Sequence, residues 1–82
     1  MKTYRFISDP GHGWLEVPMD EIKRLKIEDK ISSYSYRNKG KAYLEEDCDF
    51  SVFAAAKEKL GEKFEYTSVY QANTPIRHYD RF

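Results

Sequence analysis

The spacing of apolar residues alternates along this chain between every second position and helical spacing, and that alternation confines 82 residues to a mixed α and β fold. Lys2 to Ser8 sets Tyr4 and Phe6 on one side and Thr3, Arg5 and Ile7 on the other, as a half-buried strand does. Asp9-Pro10-Gly11 breaks the run with turn chemistry, and Trp14 to Val17 reads as the returning strand of a hairpin. Pro18 then opens a short helix, with Asp20 and Glu21 at its positive end and Ile22 and Leu25 on one face.

Ile31 to Tyr36 and Lys41 to Leu44 flank Asn38-Lys39-Gly40, which predicts a second hairpin with Ser32, Tyr34 and Tyr36 on one strand face. From Asp49 the period becomes helical: Phe50, Phe53, Ala54 and Leu60 share a stripe, three alanines favour the helix, and Gly61 stops it. Phe64 to Tyr70 alternates again as a last strand, with Phe64, Tyr66, Ser68 and Tyr70 on one side. The expectation is one α+β domain over residues 1–82, with a small antiparallel sheet of about five strands in the order ββαββαβ and two helices packed on one face. Residues 74–82 have no clean period and are either a flexible tail or a docked one, Ile76, Tyr79 and Phe82 being spaced to pack as a helical turn.

Composition excludes several classes. Fourteen basic and fourteen acidic side chains leave no net charge, so a general attraction to phosphate is missing and nucleic acid is not the expected partner. The same balance permits a homodimer. Cys48 is the only cysteine, so no disulfide or Cys-based zinc site can form within the chain, and a reducing cytoplasm is the expected setting. The start has no signal-peptide stretch, and no run approaches the length of a membrane span. No cofactor is expected.

Glu45-Glu46-Asp47-Cys48-Asp49 crowds four carboxylates between the fourth strand and the second helix. Asp47 or Asp49 suits the N-cap, and a neighbour can meet the helix dipole, but capping uses one or two acids. The surplus can meet Lys and Arg on a partner or hold a hard cation, although EF-hand spacing is lacking. His12, flanked by Gly11 and Gly13, could work as an acid or base if a partner oriented it, while an incidental loop His is the blander reading. Cys48 lies at a helix start that favours a thiolate, but the adjacent carboxylates oppose it, and a semi-buried packing role is expected. Tyr34, Tyr36, Arg37, Lys39 and Lys41 gather on one hairpin, where cross-strand packing, protein contact and stacking on single-stranded bases all use such residues.

Gly11-His12-Gly13-Trp14-Leu15-Glu16-Val17-Pro18, Ile31-Ser32-Ser33-Tyr34-Ser35-Tyr36 and Tyr43-Leu44-Glu45-Glu46-Asp47-Cys48-Asp49 together resemble small uncharacterised proteins of bacteriophages and other bacterial mobile elements. The similarity runs from about Ser8 to Gly61 and carries over no catalytic residue. It implies an accessory protein in the host bacterial cytoplasm that binds and inhibits or modulates a host protein, as anti-CRISPR and other anti-defence proteins do. The expected contact residues are Glu45, Glu46, Asp47 and Asp49, supported by Tyr34 and Tyr36, and the expected partner has a basic, nucleic-acid-binding surface. The alternatives are a small metal-dependent hydrolase or nuclease using His12 with carboxylates, and a nucleic-acid-binding module using the Tyr34 to Lys41 hairpin.

Overall fold

The computed structural model describes residues 2–82. Six strands, β1 (Lys2–Ser8), β2 (Gly13–Pro18), β3 (Tyr36–Asn38), β4 (Lys41–Glu45), β5 (Phe64–Tyr70) and β6 (Asp80–Arg81), form one sheet in the order β5-β1-β2-β4-β3-β6. Helix α1 (Met19–Arg24) follows β2, and α2 (Phe50–Lys59) joins β4 to β5. The architecture is therefore α+β in the order ββαββαβ, with one further short strand at the end.

Strand alternation decides which side chains meet the helices. Leu15 and Val17 on β2 and Ala42 and Leu44 on β4 face the same way, and with Tyr4, Ile22 and Phe53 they form the larger core. Phe53 stands edge-on to Tyr4 and Phe64, with ring centroids 5.3 and 5.2 Å away. Burying such a ring contributes about 1.5–3 kcal/mol, and favourable edge contacts add to it. The opposite face carries Ile7, Trp14 and Tyr43, covered by Ile76 from the C-terminal segment.

The sheet is mixed, where an antiparallel one was expected. β1 and β5 run parallel, from Lys2 opposite Phe64 to Ser8 opposite Tyr70. Ten residues of α2 carry the chain back along the sheet, so β5 starts from the same end as β4 and β1. Alternation identifies a strand but carries no direction.

The turn chemistry matches the sequence. Lys39 and Gly40 both have positive φ, 49° and 79°, as a two-residue hairpin loop of the favoured twist requires. Gly61, at φ 69°, ends α2. Leu60, expected on the buried stripe, is exposed, and Lys57 is buried in that helix instead.

Two expectations need correction or completion. Ile31 to Tyr36 is not a strand: β3 begins only at Tyr36, because Ser32 and Ser35 bond to Asp49 and to each other's turn and bend the preceding residues. Residues 74–82 are docked. Pro75–His78 makes a single 3₁₀ turn that buries Ile76, and β6 then pairs with β3. Since β5 and β6 lie on opposite edges, the segment between them crosses the sheet as a strap. Among the described residues no helix is long and apolar enough to cross a membrane.

Candidate functional site

The four carboxylates between β4 and α2 divide into two that the fold uses and two that it leaves outside. Asp49 is buried and accepts from Ser32 N at 3.0 Å, Ser32 Oγ at 2.7 Å and Ser35 Oγ. It stands at the N-cap of α2 yet makes no capping bond, so the expected cap is replaced by a clamp on the 32–35 turn. Glu45 is also buried, and its Oε1 accepts from Asp47 N at 2.9 Å and Cys48 N at 3.1 Å. Glu46 and Asp47 are exposed, and neither forms an ion pair among the described residues. Of the four carboxylates expected to form an acidic contact surface, Glu46 and Asp47 are therefore exposed, while Asp49 and one oxygen of Glu45 are consumed internally.

Beside this turn a cleft of about 410 Å³ opens at one end of the sheet. His12, Trp14 and Glu45 line it from the β1–β2 loop and from β2 and β4, and Asp47 and Cys48 add the acidic turn. Tyr34 and Tyr36 form a second wall, and Arg77 and Arg81 reach it from the strap and β6. Two of these elements are tied together, the loop and the strap: Asp9 accepts from Gly11 N and His12 N to shape the loop, and Arg77 clasps the same carboxylate at 2.7 and 3.0 Å. The Arg77 guanidinium, against the opposing effect of burial, holds the Asp9 carboxyl well below the usual range, with the two backbone donors adding to it.

Two buried side-chain atoms among the described residues have no hydrogen-bond partner, Trp14 Nε1 and Glu45 Oε2, and both belong to residues of this cleft. Native folds rarely leave such groups unpaired. Among the described residues the basic side chain that approaches Glu45 Oε2 is His12, its Nδ1 at 3.8 Å, too far for a hydrogen bond. The His12 ring also lies beside Trp14, with centroids 5.9 Å apart. Arg77 lies over the Trp14 ring at 5.5 Å and Arg81 over Tyr36 at 5.3 Å, so the cleft already holds guanidinium groups on aromatic faces.

The remaining sequence candidates fall into place around it. Cys48 is exposed, which corrects its expected packing role. Local desolvation and the neighbouring carboxylates of Glu45, Asp49 and Asp47 push its thiol up, which disfavours the thiolate a nucleophile needs. Tyr34 is exposed at the rim, whereas Tyr36 packs against the strap-side core. Arg37, Lys39 and Lys41 of the Tyr34 to Lys41 hairpin are all exposed, and Lys41 pairs with Glu16 at 3.6 Å. No three His, Cys, Asp or Glu side chains among the described residues gather to hold a metal ion.

A larger groove of about 570 Å³ lies between α1 and α2, with Leu25, Ile27, Val52 and Leu60 on its floor. It contains neither of the two unpaired atoms. Sequence reading found most of the cleft's acids and tyrosines but missed Trp14 as a polar group and Arg77 and Arg81 altogether. Only the strap brings those arginines to the site, and no local pattern reveals a strap. The chain matches no protein-family model, no curated protein and no solved structure.

Proposed function

We propose that this chain acts by binding: it is a small accessory protein, of the kind mobile elements carry, that inhibits or modulates a host protein through the cleft and the acidic turn beside it. The observation that supports this reading is that Trp14 and Glu45, which line one open cleft, hold a buried donor, Nε1, and a buried acceptor, Oε2, without partners. Exposed Asp47 sets negative charge in that cleft, exposed Glu46 precedes it in the chain, and exposed Tyr34 supplies an aromatic contact of the type enriched in binding hot spots. A partner surface rich in Lys and Arg, such as one that otherwise meets phosphates, complements this arrangement. The host-defence setting comes from the resemblance of the three segments to mobile-element proteins.

Reversing the two free charges tests the surface. In the double variant Glu46→Lys, Asp47→Lys, association with the host partner should slow by about tenfold or more at low salt and lose most of its salt dependence. The melting temperature should stay close to wild type, because neither side chain is used by the fold. Surface plasmon resonance over a salt series reads the first effect and a thermal melt the second. An unchanged association rate would remove the acidic turn from the interface.

A further inference from the structure

We infer that the cleft takes an arginine side chain from an extended segment of the partner, with the guanidinium on Glu45 Oε2 and an adjoining main-chain carbonyl on Trp14 Nε1. This names the ligand of the binding surface proposed above and rests on that proposal. The two unpaired atoms set the requirement: the ligand must bring a donor to a carboxylate oxygen and an acceptor to an indole N–H. A lone cation satisfies half of that requirement. A residue within a peptide satisfies both, through its side chain and its backbone.

Charge decides the sign of the side chain. Arg77 is neutralised by its two bonds to Asp9, so its cation is already spent. Arg81 donates to Ser33 O at 2.8 Å and lies over Tyr36. Against that one unneutralised arginine stand the carboxylates of Glu45 and Asp47 in the cleft. The balance favours a cation.

Shape favours arginine over lysine. A guanidinium is planar, weakly hydrated and able to stack while it donates in its own plane, whereas an ammonium is a compact, strongly hydrated charge. Tyr34, exposed on the wall, offers the free ring face, and the protein's own Arg77 and Arg81 already adopt that geometry on Trp14 and Tyr36. The cleft, at about 410 Å³, has room for one long side chain and the flanking peptide units.

His12 covers the acceptor and can leave it. Its ring contacts Glu45 Oε2 at 3.8 Å, makes no hydrogen bond, and is about half exposed. The loop backbone is held separately, by His12 N to Asp9 Oδ1 at 2.8 Å and Asp9 N to His12 O at 2.9 Å. Rotation about the side-chain bonds therefore opens Oε2 without moving the main chain.

Trp14 is the only tryptophan, so its indole N–H gives one unambiguous proton–nitrogen resonance. Titrating the ¹⁵N-labelled protein with the capped tripeptide acetyl-Gly-Arg-Gly-amide should move that resonance saturably. The Lys tripeptide should bind at least several-fold more weakly, and the Gln tripeptide should leave the resonance in place. Glu45→Gln, which keeps an acceptor for Asp47 N and Cys48 N, should weaken the Arg tripeptide by about tenfold or more. His12→Ala should bind it at least as tightly as wild type.

An immobile indole resonance, equal response to Arg and Gln tripeptides, or loss of binding in His12→Ala would overturn the inference, as would a single-stranded oligonucleotide that moves the resonance more strongly than the Arg tripeptide. The wild-type arms do not depend on any variant folding. If the tripeptide is silent while the charge-reversed variant still loses its partner, the arginine anchor falls and the binding surface stands. If neither experiment shows an effect, both fall.

Discussion

Glu21→Ala should destabilise the protein by about 3 kcal/mol and lower its melting temperature by roughly 12 °C or more. Glu21 is almost wholly buried between α1 and the sheet and gathers four donors. Lys57 Nζ lies at 3.1 Å, Tyr4 OH at 3.1 Å, Lys2 Nζ at 3.2 Å and Arg24 NH2 at 3.1 Å. Removing the carboxylate leaves the Tyr4 hydroxyl unpaired and strips Lys57 of one of its two anions. The effect stays near the low end of the range for broken buried pairs because Lys57, itself 3% exposed, keeps Glu62 at 2.9 Å.

The same cluster sets an acid limit. Burial alone would raise the Glu21 carboxyl, but Arg24, Lys57, Lys2 and Tyr4 outweigh it and bring the group from 4.5 down to about 2. A carboxyl depressed by folding contributes its full stability above the unfolded value and loses it as pH falls through the folded one. Denaturant midpoints of the wild type should therefore decline between pH 4.5 and about 2. Glu21→Gln should start lower at neutral pH and decline less over that window. Equal slopes in the two proteins would show that Glu21 is not the group responsible.

Asp49→Ala should cost about 2–4 kcal/mol and disorder the 32–35 turn, since it leaves Ser32 N without an acceptor and releases both serine hydroxyls. Tyr34 rides on that turn, so partner binding should fall as well, although Asp49 itself is out of reach of any partner. Hydrogen exchange should show faster exchange at Ser32 and Ser35 in the variant. Binding lost with normal protection of the turn would instead place Asp49 at the interface and contradict its clamp role. Together with the charge reversal, this separates the acids that build the site from the acids that face outward.

Local patterns carried much of the architecture. The two hairpin loops, the α2 helix and the Phe64–Tyr70 strand all follow from residues close in sequence, such as Lys39-Gly40 at a two-residue turn and Gly61 after the last helical residue. The failures share a cause in long-range partners. Ser32, Tyr34 and Tyr36 alternate as a strand would, yet Asp49, far along the chain, bends that segment through its serine hydroxyls. Lys57 looks like a solvent residue on a helix, and only Glu21 and Glu62 make its burial tolerable.

The acidic turn shows the same division at the site. Its composition correctly marks a place with more carboxylates than a helix start needs, but burial is not written in the residue names. Glu45 and Asp49 go inward, where amides and hydroxyls meet them, and Glu46 and Asp47 stay exposed. Trp14 reads as the start of the returning strand and lies there, at 1% exposure. Its unpaired N–H becomes visible only when the packing is known.

The most direct measurement is the Trp14 indole resonance of the ¹⁵N-labelled protein recorded with and without its captured host partner. If the cleft is the contact surface, that resonance moves on complex formation, and Glu45→Gln reduces both the shift and the affinity. If it stays in place while amides along α1 and α2 move, the partner sits on the helical face, and the cleft is not the binding site.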